Sequence, residues 1–250
     1  MKKLVLLLLL IASNIWATDI ENKFLNGNDL YQKGRYQDAI LQYESVPKMQ
    51  IESAELYFNL GNCYYKLHKV APSIFNYEKA LRLDPNDVEI QTNLEFAQKM
   101  AIDDIKVIPK VGFRKIVSDF TSSYHYNTWG WIVVFQSFAF LIFFIGYYFS
   151  NTTKLKRLFF MTFTMLLMGI IISLFSAYFE QNRMESEKPA IVFSELVIVK
   201  TEPKKASQDA FTLHEGTKVY ILESVANWKK IQLTDDTTGW IEDSAIREIK

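Results

Sequence analysis

Residues 129–149 (WGWIVVFQSFAFLIFFIGYYF) and 158–179 (LFFMTFTMLLMGIIISLFSAYF) show no alternation of polar and apolar positions; both are apolar all round. At 21 and 22 residues, each has the length of a helix that crosses a hydrocarbon layer about 30 Å thick. Trp129, Trp131, Tyr147, Tyr148 and Tyr178 stand near the ends, where amphipathic rings settle at a membrane surface. The predicted link, residues 150–157, is short enough to force a helical hairpin, so both flanking regions belong on one side of the layer. A third apolar run, Leu4 to Ala12, follows Lys2 and Lys3. As a helix it covers roughly 14 Å, too little to cross. With Ala17 as a small residue behind it, residues 1–17 read as a secretory signal, the alternative being an uncleaved anchor.

Between the signal and the first span the pattern repeats at a spacing of 34: Gly27 as Gly61, Asn28 as Asn62, Tyr31 as Tyr65, Ile40 as Ile74, Tyr43 as Tyr77 and Glu44 as Glu78. Ile90, Leu94, Ala97 and Ala101 then recur at helical spacing and predict a further helix over the end of the stack. The second copy, AELYFNLGNCYYKLHKVAPSIFNYEKALRLDPND, resembles a tetratricopeptide repeat through Gly61, Tyr64, Ser73 and Pro85. The first copy keeps Gly27, Gly34, Tyr36, Ala39 and Tyr43, with Leu30 in the place of the aromatic residue. Residues 18–101 are therefore expected to form an α-helical solenoid of two repeats and a capping helix. Gly27 and Gly61 would let antiparallel helices approach, Gly34 would end a helix, and Pro72 suits a first turn. Two repeats bury little surface alone, so a partner, self-association or the membrane is expected to complete the core.

The concave side of such a stack is a protein-binding groove, and its candidates are Asn28, Asn59, Asn62, Lys66 and Asn93, unless these are ordinary solvated positions. Some repeats of this family grip a partner's C-terminal carboxylate; Asn28 and Asn59 match two positions of that clamp, but Glu89 and Asn93 stand where its basic residues belong. Residues 102–128 read as a linker or an interfacial helix, since Val111, Ile116, Phe120 and Tyr124 are spaced like an amphipathic surface helix.

After the second span and a linker, residues 180–188, the period falls to two. Short apolar runs at 190–193, 196–200, 217–222, 228–233 and 239–241, with a hairpin loop at Asp235 to Thr238, predict a small all-β barrel over residues 189–250. VIVKTEP, LHEGTKVYIL, NWKKIQL and TGWIEDSAI resemble, in order, the strands of a bacterial SH3 domain. Tyr220, Trp228 and Trp240 form its candidate ligand face, the plainer reading being that in so small a barrel the tryptophans are core; His214 is expected in a loop.

Charge orients this arrangement. Lys+Arg and Asp+Glu number 28 each, so no global basic field exists to hold nucleic acid. The balance is local: residues 18–128 carry net −2, residues 180–250 net −3, and Lys154, Lys156 and Arg157 bring +3 to the link between the spans. The positive-inside rule places that link in the cytoplasm and both larger segments outside, in agreement with a secretory signal. The spans hold no ionisable residue, and Gln136 is their one amide, suited to bond between helices.

Nucleophile-elbow, zinc-protease and phosphate-loop motifs are all missing. Cys63, the single cysteine, reads as a small packed residue and cannot form an intrachain disulfide. No cofactor, metal or catalytic residue is expected. The order of signal, repeats, hairpin and SH3-like domain resembles the E-protein family of the Bacteroides aerotolerance operon (BatE). That resemblance implies a non-enzymatic inner-membrane scaffold acting in envelope stress, with von Willebrand A-domain membrane proteins as partners. Peptidoglycan binding through the C-terminal domain is the alternative.

Overall fold

The computed structural model describes residues 20–46, 52–105 and 112–249; the predicted signal, residues 1–17, and Val111 lie outside them. The chain divides into two units. Of the described residues, one joins 20–46, 52–83, 87–105 and 188–249; the other holds 84–86 and 112–187.

The first unit opens with α1 (residues 20–32) and α2 (Tyr36–Tyr43), followed by α3 (Ala54–Lys66), α4 (Val70–Leu83) and α5 (Val88–Gln98). These are two helix pairs and a fifth helix, as the 34-residue spacing predicts. The glycines act through contact: a Cβ on Gly27 would stand 2.5 Å from the Tyr43 ring, and one on Gly61 2.6 Å from that of Tyr77. Ser73, buried, donates to the Gly61 carbonyl at 3.0 Å and ties α4 to α3 at that crossing. Gly34 leaves α1 with φ +73°, its N–H bonded to Tyr31 and that of Arg35 to Leu30, a left-handed helix end. At the same place in the second repeat stands His68, with φ 54° and the same bonds, to Tyr65 and from Lys69 to Tyr64. Ser53 caps α3, and Asp87 caps α5 by accepting from Glu89 and Ile90 N–H groups.

The same unit contains a seven-stranded antiparallel sheet: β1 (Pro189–Val192), β2 (Leu196–Lys200), β3 (Asp209–His214), β4 (Lys218–Val225), β5 (Trp228–Gln232), β6 (Thr238–Glu242) and β7 (Ile246–Glu248), in the order β3-β2-β6-β5-β4-β1-β7. The barrel expected from the sequence is not closed, because β3 and β7 are edges without a ladder between them. Strands β3 and β7 were not among the expected runs; β3 has only Leu213 buried, so its burial pattern shows little alternation. Val219, Ile221, Ile231 and Leu233 do point into the sheet's core, with Val199 and Ile241.

The sheet also supplies what two repeats lack. Ile191 and Ile249 belong to the buried helical core, and Phe193 packs against it. Phe193 meets Phe75 of α4 edge-on at 5.7 Å, and the Arg247 guanidinium lies 4.2 Å from the Phe193 ring. Part of the burial that two repeats lack thus comes from within the chain.

The second unit is α6 (Phe113–Thr121), α7 (Tyr126–Phe149) and α8 (Thr153–Ser186). Both long helices exceed the predicted spans. Helix α8 begins at Thr153, so Lys154, Lys156 and Arg157 stand on its first turns and not in a loop. It runs on through the expected linker because Arg183 bonds Glu180 and Glu187, and Gln181 bonds Glu185, at helical spacings of three and four. Helices α7 and α8 pack through Phe140, Phe144, Tyr147, Phe160 and Phe163. Gln136 accepts from Ser173 at 3.2 Å and lies against Gly169, the interhelical role expected of it. Trp129 is buried, unlike the exposed Trp131, Tyr148 and Tyr178, because its indole N–H donates to the Thr121 carbonyl.

Candidate protein-binding groove

The recurring Gly-Asn pair and the tyrosine 16 positions past each glycine are parts of one device. With the Tyr43 ring seated on Gly27, its hydroxyl reaches Asn28 Oδ1 at 2.6 Å; the Tyr77 hydroxyl reaches Asn62 Oδ1 at 2.6 Å in the same way. Each of those oxygens accepts a second bond from the next first-helix asparagine: Asn59 Nδ2 to Asn28 at 3.2 Å, and Asn93 Nδ2 to Asn62 at 3.0 Å. Burial raises the pKa of both tyrosines above the ordinary phenol value, so their hydroxyls stay protonated donors. The four asparagines therefore form a fixed row across successive first helices.

Asn62, Asn93 and Lys66 line a cavity of about 210 Å³ with Tyr31, Tyr65, Tyr77, Glu89 and Phe96. All five predicted groove residues are thus placed in the row or beside it; Asn28 and Asn59 make the first rung and Asn62 and Asn93 the second. Lys66 is exposed and faces a wall that also carries Glu89. That balance of one cation and one anion does not select a carboxylate. The side-chain amides and the aromatic walls together offer hydrogen bonds and apolar contact.

Cys63 is fully buried beneath this row, and burial pushes its thiol up to about 12. It is a packed residue with little thiolate at neutral pH.

The predicted face of the sheet is divided. Trp228 and Trp240 are half-buried and lie outside the sheet's buried core, because Ile231, Gly239 and Ile241 take the inward positions of β5 and β6. The expectation that both tryptophans are core is corrected. Trp228 lines a shallow groove of about 460 Å³ with Leu196, Ile198, Lys200 and Glu242. Tyr220 does not join it, but lines a separate cleft of about 750 Å³ with Glu78, Glu95 and Lys218. Trp240 pairs with Lys200 and Lys230 across the ladders and lines neither.

A polar junction at that cleft had no signal in the sequence. Asp103 accepts from the His214 N–H at 2.7 Å and the Thr217 hydroxyl at 2.6 Å, and meets His214 Nδ1 at 2.8 Å. Burial alone would raise the Asp103 pKa, but these hydrogen bonds outweigh it and hold the carboxyl below its ordinary value. His214 ends β3 and is not a loop residue. Nearby, Lys218 pairs with Glu78 at 2.6 Å, and Arg82 donates to the Ile249 carbonyl at 2.9 Å. Gly216, with φ +90°, turns so close to α4 that a Cβ there would stand 2.9 Å from Val70 and 3.0 Å from Ile74.

Comparison with known proteins agrees on the helical region. The tetratricopeptide repeat family model matches residues 54–87, and a TPR repeat model matches residues 27–67. Over 73 residues the chain is 34% identical to sperm-associated antigen 1 of Rattus norvegicus, a stretch covering 29% of this chain and 8% of that protein. Over 98 residues it is 26% identical to tetratricopeptide repeat protein 16 of Homo sapiens, covering 39% of this chain and 11% of that protein. The matched stretch is thus about a tenth of the curated relatives' length. Residues 27–87 thus carry tetratricopeptide repeats, which are protein–protein interaction modules.

Proposed function

We propose that the protein is a non-enzymatic membrane scaffold whose repeat groove holds an extended segment of a partner protein next to the bilayer. The observation that carries this reading is the joint origin of the first unit. Its repeats and its sheet come from opposite flanks of the α7–α8 hairpin, yet share one core through Ile191 and Ile249. A hairpin that crosses a membrane returns the chain to the side it left, which is what such a unit requires. Support for the crossing comes from α7 and α8 themselves, the two helices long and apolar enough to span among the described residues. Their large apolar side chains face outward, while Ser173 and Ser176 are buried. An apolar surrounding favours that arrangement.

In this reading Lys154, Lys156 and Arg157 at the hairpin tip stay in the cytoplasm, and the globular unit faces the periplasm from the inner membrane. Three bases in the first turns of α8, with no acid there, oppose the helix dipole, so helix stability is not what the cluster serves. The BatE resemblance suggests an envelope-stress or aerotolerance complex with von Willebrand A-domain membrane proteins. The test is affinity purification of the full chain from its native membranes after gentle crosslinking. A reproducible protein partner should be recovered, and it should be lost from the double variant Asn62→Leu, Lys66→Glu while the variant keeps its helical circular dichroism. Recovery of no protein, or equal recovery with that variant, contradicts the proposal.

A second reading, binding of peptidoglycan, is favoured by the exposed Trp228 groove with Leu196 and Ile198 on its walls. Detergent-solubilised full chain should then sediment with purified sacculi, and Trp228→Ala should not. Chain that stays in the supernatant removes this reading.

A further inference from the structure

We infer that α6 is an interfacial helix, its Ile116–Phe120 face bedded in the headgroup layer of a lipid bilayer where α7 enters it. The inference rests on the membrane-spanning reading of α7 and α8, and adds a surface to it that crosses nothing.

Helix α6 is nine residues long, too short to span. Ile116 and Phe120, four positions apart and hence on one face, are 67% and 49% exposed, and Tyr124 just beyond is also exposed. Lys115 and Asp119, each one position earlier, are exposed on the adjoining face. The helix is therefore two-sided, and although Phe120 meets Trp129, Ile116 on its apolar side stays two-thirds exposed. A soluble helix turns such a side to a core; a helix lying in a membrane surface turns it to lipid.

The position of α6 is fixed by contact. Trp129, at the first turn of α7, is buried between the rings of Phe120 and Tyr124, each 5.5 Å away, and its indole N–H bonds the Thr121 carbonyl at 2.9 Å. Helix α6 is thus tied to the start of the apolar stretch and cannot swing clear of the depth at which that stretch begins. From there the outward apolar surface runs on along α7 through Trp131, Phe135 and Phe138. These side chains stand on the side of α7 away from Trp129, so the layer that surrounds the start of α7 also reaches the level at which Trp129 holds α6. The uncharged, hydrogen-bonded turn between α6 and α7, Ser122 to His125, suits the same depth: Ser123 Oγ bonds the Asp119 carbonyl, and the N–H of Ser122 bonds that of Ser118.

The test uses the full chain in nanodiscs of phosphatidylethanolamine and phosphatidylglycerol, spin-labelled at single introduced cysteines; the native Cys63 is buried and takes no label. Collision with oxygen, which concentrates in lipid, is compared with collision with a water-soluble nickel chelate. Labels at 116 and 120 should favour oxygen several-fold over labels at 115 and 119. Phe120 contacts Trp129, so Ile116→Cys, which disturbs no ring contact, decides the matter should Phe120→Cys not fold. Equal nickel access at 116 and 115 overturns the inference, since the face is then in water. Exclusion of both reagents from 116 overturns it too, since the face is then covered by protein. Labels at Ile142 and Ile171, on the outward sides of α7 and α8, separate the two levels of the argument. If they favour oxygen while 116 does not, only the role of α6 fails; if they favour nickel, the spanning reading fails first.

Discussion

In the repeat-and-sheet unit the fully buried side chains include Tyr43, Ile74, Tyr77, Ile191 and Ile231; in the helical pair the buried side chains are Ser176, Ser173, Glu180 and Trp129, while Met165 and Phe138 are turned outward. Both units obey the same rule, that a side chain goes where its transfer free energy is lowest. On the membrane-spanning reading, the difference lies in the surroundings each was shaped for. Where water is outside, Tyr77 is driven onto Gly61 and the amides stay at the rim. In the hairpin, the amide of Gln136 turns inward to Ser173 because that is where its hydrogen bond can be made. The comparison also explains why the units are unequal in polar detail. The first adds specific bonds such as those of Asp103 to its apolar cores, and the second packs mainly through interlocked rings.

The sharpest way to break this contrast is to place a charge on the outer surface of each unit. Phe138→Asp, 65% exposed near the middle of α7, should cost about 3–4 kcal/mol if lipid lies outside, read as loss of the chain from carbonate-washed membranes. Leu41→Asp, 60% exposed on the repeats, should change unfolding free energy by no more than about 0.5 kcal/mol. Similar effects at the two sites would remove the distinction.

Next in size is the interior of the first unit. Gly61→Ala drives a methyl group into the Tyr77 ring and should cost about 1–3 kcal/mol, seen as a lower midpoint in urea. Gly216→Ala combines a left-handed φ with contact against Val70 and Ile74, and should lose about 1–2 kcal/mol. Because Gly216 lies at the junction, that variant should loosen repeats and sheet together. A sheet that melts alone would show the two parts to be independent.

The junction also predicts a pH dependence. Asp103 is held below its unfolded value of 3.8, so its contribution is complete above that value and is lost as pH falls through the lower folded one. Asp103→Asn should cost about 1–2 kcal/mol at neutral pH and flatten the fall in stability below about pH 4, measured by urea unfolding at several pH values. Glu52, also held low through Tyr57 and Lys79, should keep part of that slope in the variant.

The smallest effect is local to the repeats. His68 holds the left-handed turn that Gly34 occupies in the first copy, so His68→Gly should stabilise the unit by up to about 1 kcal/mol.

These sites also mark what could be read from the chain. The 34-residue spacing was legible because each repeat packs mainly on its neighbours, and local periodicity records local packing. Gly61, Ser73 and the asparagine positions followed from it. The bond from Tyr77 to Asn62 was present as a signal in the recurring Gly-Asn and Tyr, though its meaning needed the geometry. The Asp103–His214 junction was not legible: its partners lie 111 positions apart, with the whole hairpin between them, and neither belongs to a motif. The same holds for Ile249 in the repeat core. Helix α8 was read too short because its ends are polar, and composition marks the lipid-like stretch but not how far ion pairs such as Arg183–Glu187 extend the helix. The open sheet was read as a barrel because strand patterns do not say whether the edges meet.

The account rests on one body built from both flanks of a hairpin that crosses a membrane. Single cysteines at Leu41 on the repeats, Glu223 on β4 and Asn151 at the hairpin tip, all exposed, test it in sealed, uniformly oriented membrane vesicles with an impermeant maleimide. Positions 41 and 223 should label together from one side, and position 151 only after the membrane is opened. Labelling of 41 and 223 from opposite sides, or of 151 together with both, would contradict it.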